Sequence, residues 1–274
     1  RAGCWSPGNF VTVNIRSIGN QAAVRPSPVF LLLLAVTAAG GVLAWLAGEA
    51  TLDNKPIAYA GVFILVICGW VVSLCLHEFG HAFTAWRFGD HDVATRGYLS
   101  LNPFKYTSPV FSIVLPLLFI AMGGIGLPGG AVWVRTDRLT KGQRSAVALA
   151  GPVTNLILAV LLLGAVRLFY QHDHGVFWGG VAFLGMLQVM AVVLNILPIP
   201  PLDGYNALEP HLSPNLQRSL APVKQYGFFI LLFVLIAPPL NQWFFSFVFK
   251  IYGLLGGIDM LASIGYGLTL FWQR

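Results

Sequence analysis

From Ile57 to Leu76 the chain runs for twenty residues without a charge, and the next five positions hold His77, Glu78 and His81. A helix needs about 20 apolar residues to cross a bilayer, so this stretch is long enough to span and it ends on three ionisable side chains. Similar apolar runs lie at 28–48, 146–168 and 177–198, and a fifth begins near Tyr226. With 57% hydrophobic and 9% charged residues in 274 positions, no soluble core of this size could enclose so much apolar surface. The expected fold is an all-α polytopic membrane protein of about six transmembrane helices. Residues 1–27 are expected to be a flexible N-terminal tail, and residues 28–274 a single membrane-embedded domain.

The segment "PVFSIVLPLLFIAMGGIGLPGG", residues 109–130, is apolar enough to cross but carries Pro109, Pro116, Pro128 and two Gly-Gly pairs. The basic residues decide its path. If it enters and leaves on one side, 13 of the 16 Lys and Arg face the cytoplasm and only Lys55, Arg167 and Lys250 do not. A single crossing would move the basic residues between Arg135 and Arg144 outside, against the positive-inside tendency. A re-entrant hairpin or pair of half-helices is therefore expected, with a short strand possible at "GAVWV", residues 130–134, as an edge for an extended peptide. From Gln225 to Trp272 the chain is apolar nearly throughout, and Pro238, Pro239 and Gly256-Gly257 divide it into two spans or a span plus interfacial helices.

The net charge of +6 is scattered between apolar runs without a basic cluster, so it reads as a topology signal and not as a nucleic-acid surface. Cys4, Cys68 and Cys75 show no metal or disulfide spacing.

On a helix His77 and His81 share one face, and Glu78 is turned about a quarter of a circle away. This H-E-x-x-H pattern offers two imidazoles to zinc and a carboxylate to a water proton. A catalytic zinc commonly takes three protein ligands. The soluble-protease continuation fails, since position 87 is Arg87 and position 84 is Thr84. Glu209, Glu49 and the acids and histidines of the loops remain, and "NILPIPPLDGYNALEP" stands out among them. There three prolines break the end of an apolar helix and set Asp203 in the break, where freed carbonyls are tolerated only if buried in protein or lining a cavity. The one-sided topology puts His77 and Asp203 at the same membrane face.

Three ordered motifs, "HEFGH" at 77–81, "AGPVTN" at 150–155 and "NILPIPPLDG" at 195–204, resemble those of the site-2 proteases, zinc metalloproteases that cut within the membrane. "LSLNPFKYTSP" at 99–109 is similar to the compact bacterial branch without PDZ or CBS domains. The resemblance implies that His77, His81 and Asp203 bind one zinc ion, that Glu78 activates water, and that Asn195 holds the substrate or its oxyanion. It also implies close packing through Gly151 and Asn155, and a catalytic core at 57–204. The implied substrate is a single-span membrane protein, such as an anti-sigma factor or a signal-peptide remnant, cut towards the cytoplasmic side of the bilayer in regulated intramembrane proteolysis.

Other polar residues carry weaker expectations. Asp90, His91 and Asp92 read as a solvated loop, His172 and His174 as too distant, and Glu209 and His211 as supports for the ligands. Two rival classes stand beside the protease. A metal transporter should show polar residues along a path through several spans, whereas here they concentrate at one depth. An inactive zinc-binding scaffold would not need Glu78.

Overall fold

The computed structural model describes residues 24–49, 56–106 and 139–270. Most of the expected tail, the 109–130 segment and the strand at 130–134 lie outside them. Among the described residues every regular element is helical.

The first helix, α1 (Pro28–Ala47), opens on Ser27, whose Oγ accepts from Phe30 N at 3.2 Å, with Pro28 in the first helical position. Ser27 N in turn donates to Ser100 O at 2.7 Å. The second, α2 (Pro56–Arg87), has 32 residues, about 48 Å at 1.5 Å per residue. That exceeds the roughly 30 Å hydrocarbon thickness, and the histidine motif lies inside the helix with further turns beyond it. A short helix α3 (Asp92–Thr95) and 3-10 turns at Tyr98–Ser100 and Pro103–Lys105 fold back on the second half of α2. There Cys75, Ala82 and Ala85 share a core with Val93, Tyr98 and Tyr106. Tyr106 OH donates to Cys75 O at 3.1 Å.

Helix α4 (Lys141–Phe169) starts five residues before the apolar run, because Thr140 and Gln143 form a reciprocal capping box. Thr140 Oγ1 accepts from Gln143 N at 3.3 Å, and Gln143 Oε1 accepts from Thr140 N at 2.9 Å. Pro152 lies within α4. A 3-10 turn at His172–His174 leads into α5 (Gly175–Ile196), which is buried around nearly its whole circumference. It is the central helix: Leu184 and Leu187 share one core with Val62, Val66 and Trp70 of α2 and with Ala159 and Leu163 of α4. The outer helices instead expose apolar side chains such as Leu32, Leu46 and Leu168, as lipid-facing surfaces do.

After the proline break come α6 (Asp203–Leu208), a 3-10 turn at Glu209–His211, α7 (Pro214–Lys224), α8 (Gly227–Ile236), α9 (Leu240–Leu254) and α10 (Asp259–Thr269). Among the described residues four helical segments are long and apolar enough to span, or up to six if each bent pair, 214–224 with 229–236 at 73° and 240–254 with 259–269 at 119°, is one span.

Candidate metal centre

Two elements deliver one ligand group. His77 and His81 stand one turn apart on α2, and Asp203 is the first residue of α6. Their ligand atoms converge: His77 Nε2 lies 3.1 Å from His81 Nε2 and 3.2 Å from Asp203 Oδ2, and His81 Nε2 lies 3.5 Å from the same oxygen. Among the described residues, Asp203 is the acid that joins the histidine pair; Glu209 is engaged by Lys224.

The other nitrogen of each ring reveals what these atoms can do. His77 Nδ1 meets Asn155 Oδ1 at 3.2 Å, and His81 Nδ1 meets Val147 O at 2.7 Å, both supplied by α4. Both partners are acceptors, so each Nδ1 carries the proton and each Nε2 presents a lone pair. Two lone pairs and a carboxylate oxygen facing one another at 3.1–3.5 Å repel unless a cation lies among them. Nitrogen and oxygen ligands about 2.0–2.2 Å from a tetrahedral zinc would stand roughly 3.3–3.6 Å apart. The donor set and its spacing therefore fit zinc.

The packing leaves no spare room at the tips of the rings. A Cβ on Gly151 would sit 2.3 Å from His81 Nε2 and 2.6 Å from His77 Nε2, so the imidazoles lie against bare α4 backbone. A Cβ on Gly204 would sit 2.0 Å from Ile196 O, which explains the glycine after Asp203: α6 begins in direct contact with the end of α5.

Glu78 is 2% exposed, and its Oε2 has no hydrogen-bond partner among the described residues. Asn195, on the last turn of α5, is buried with its Nδ2 donating to nothing among the described residues. Both are costly to keep unless something else binds there. Asp90, His91 and Asp92 lie just past α2, outside the ligand group. His174 is committed elsewhere, stacked on Trp45 at 3.5 Å with its Nδ1 donating to Trp45 O at 3.1 Å.

The sequence did not point to Ser145. Its Oγ lies 2.6 Å from Ala207 O, 3.2 Å from Lys141 O and 2.9 Å from His211 Nε2. Both carbonyls can only accept, so the one hydroxyl proton goes to a carbonyl, Ala207 O being the nearer, and His211 Nε2–H donates to Ser145 Oγ. This clasp ties the segment that begins with Asp203 to α4, the helix that also supports both histidines. A pair separated by 66 residues leaves no local pattern to read.

Residues 63–176 match Peptidase family M50. The chain is 61% identical over 261 residues to a protein of Mycolicibacterium smegmatis named as zinc metalloprotease Rip2, covering 95% of this chain and 99% of that one. The Rip2 of Mycobacterium tuberculosis H37Rv is 60% identical over 255 residues, covering 93% and 97%. YwhC of Bacillus subtilis, also named as a zinc metalloprotease, is 32% identical over 184 residues, covering 61% and 78%. No solved structure matches the chain.

Proposed function

This chain belongs to peptidase family M50, the site-2 protease family of zinc metalloproteases, and from that premise we propose that it cuts peptide bonds of single-span membrane proteins within the bilayer. The observation that carries this reading is Glu78: a carboxylate with a free buried oxygen, next in sequence to the first of three converging ligand side chains. A site that only stored or stabilised a metal would have no use for it.

In this reading His77, His81 and Asp203 hold the zinc ion, and Asn155 and Val147 O fix the two rings in the tautomer that presents Nε2. When bound, zinc supplies a Lewis acid that polarises the scissile carbonyl and brings the pKa of water down to about 7. Glu78 Oε2 accepts the proton of the attacking water and hands it to the departing amide nitrogen. Asn195 Nδ2, the unpaired donor at the end of α5, holds the carbonyl oxygen of the substrate as negative charge develops on it. Gly151, having no side chain, leaves the Nε2 tips of both rings room against the α4 backbone.

A helical substrate has its carbonyls tied up in hydrogen bonds, so the segment to be cut must unwind before it reaches Glu78. The substrate class we infer is a single-span protein, an anti-sigma factor or a signal-peptide remnant, whose cleavage is a step in regulated intramembrane proteolysis. The charge distribution, with 13 of the 16 basic residues on one side, supports a site facing the cytoplasm.

The test is zinc content and cleavage of a panel of single-span proteins in liposomes. Glu78→Gln should retain zinc and lose cleavage, whereas Asp203→Ala should lose both. Equal zinc in all three chains with no cleavage by any of them would overturn the reading.

A further inference from the structure

Helix α7 has the sequence PNLQRSLAPVK, is capped by Ser213 Oγ accepting from Leu216 N at 3.3 Å, and buries none of its residues. Its side chains nevertheless fall into three distinct faces. Leu216, Leu220 and Val223, spaced i, i+4 and i+7, form one apolar stripe. Leu216 is 44% and Val223 37% exposed. Gln217 and Lys224 lie on the adjoining flank and hold the protein: Gln217 Nε2 donates to Glu209 O at 2.9 Å and to Leu212 O at 3.1 Å, and Lys224 pairs with Glu209. Arg218 projects on the side away from the stripe, about 160° from Leu216 at 100° per residue.

The orientation of α7 follows from its neighbour. Helix α8, GFFILLFVLI, carries no charge and exposes Phe229, Phe233 and Ile236, so it lies in the hydrocarbon. The two helices meet at 73°. With ten residues α8 reaches about 15 Å, half of the hydrocarbon thickness. If it enters the bilayer along the normal, α7 lies close to the membrane plane, and its apolar stripe continues into the lipid-facing side chains of α8 through the exposed Tyr226.

We propose that α7 is an interfacial helix whose Leu216, Leu220 and Val223 sit in the headgroup–acyl boundary of the bilayer while Arg218 stays in water. The occupant of the stripe is lipid. The three faces then each meet a suitable medium: acyl chains, the 209–212 turn, and solvent beside the headgroups. Because Gln217 and Lys224 grip the turn that follows α6, the seat also fixes the height of the segment that begins with Asp203. The inference stands apart from the proposed reaction, since it concerns where α7 lies and not what is cut.

The test places a nitroxide spin label on a single cysteine at 216, 218 or 220 in the full chain, with Cys4, Cys68 and Cys75 replaced by Ala. The protein is reconstituted in phosphatidylcholine–phosphatidylglycerol vesicles. Power saturation then compares access by oxygen, which partitions into lipid, with access by a water-soluble nickel chelate. The expected result is an oxygen-to-nickel ratio several-fold higher at 216 and 220 than at 218. Equal nickel access at all three positions would put α7 in water and overturn the proposal. Protection of 216 and 220 from both reagents would mean that protein covers the stripe, a second copy or another part of the chain, and would overturn it equally. A label at 223 gives the same reading if the one at 216 disturbs folding. None of these outcomes depends on cleavage, so the protease reading can fail without affecting this one.

Discussion

Ser145 and His211 meet at 2.9 Å, and through that contact a hydroxyl on α4 restrains the segment that begins with Asp203. Removing the hydroxyl leaves Ala207 O and His211 without their partner at a partly exposed position. The expected cost is about 1 kcal/mol, the usual net worth of one such bond. Ser145→Ala should therefore release zinc roughly fivefold faster, and Ser145→Thr should restore most of the loss. Competition with a fluorescent chelator measures the release.

Gly151→Ala should be far more damaging than its size suggests. The new methyl would overlap the two nitrogens that face Asp203, and overpacking of this kind costs about 1–3 kcal/mol. The rings must turn away to accommodate it, so metal content should fall well below one zinc per chain while the helices persist. Elemental analysis beside circular dichroism separates the two effects.

Asn155 acts on the metal site through His77 Nδ1. Loss of such a partner typically weakens metal binding by about 10–100-fold, and Asn155→Ala should fall in that range. Asn155→Asp keeps an acceptor in place and should lose less. Zinc titration of the chelator-stripped variants distinguishes the two.

Asp203 sets an acid limit. In the metal-free protein a proton on His81 takes the place of the cation: burial pushes the Asp203 carboxyl up, but the charge of the protonated His81 outweighs that and holds it well below the usual carboxylate range. A carboxyl lowered by folding stabilises the folded state above its unfolded value, about 3.9, and that stability is lost as pH falls towards the folded value. Chelator-stripped protein should thus lose thermal stability in detergent progressively as pH falls below about 4. Asp203→Asn should show a flatter profile over the same window.

The parts of this site that could be read in the sequence are those in which side-chain type and spacing carry the information. His77, Glu78 and His81 follow from helical periodicity, and Asp203 from a proline break where a charged residue needs a reason. Gly151 and Asn155 were indicated by a motif, and the structure supplies the physical cause: one leaves room for the rings, the other accepts from one of them. Val147 could not be found this way, because its contribution is a backbone oxygen that any residue type would provide. The start of an apolar run near Tyr226 and the division at Gly256-Gly257 were legible, but the 73° and 119° bends were not, since composition marks where a helix begins or stops and says little about where the next one points.

The nearly complete burial of α5 separates the centre of the bundle from the physical state of the membrane. A bilayer thicker or thinner than the protein's apolar belt exerts its mismatch force on lipid-exposed helices, which tilt or shift in response. Helix α1, with Leu32 and Leu46 in the lipid, takes that load, whereas α5 has little contact through which to feel it. Asn195, at the end of α5, is thus mechanically insulated, and a change in lipid chain length should strain the periphery well before it disturbs the centre.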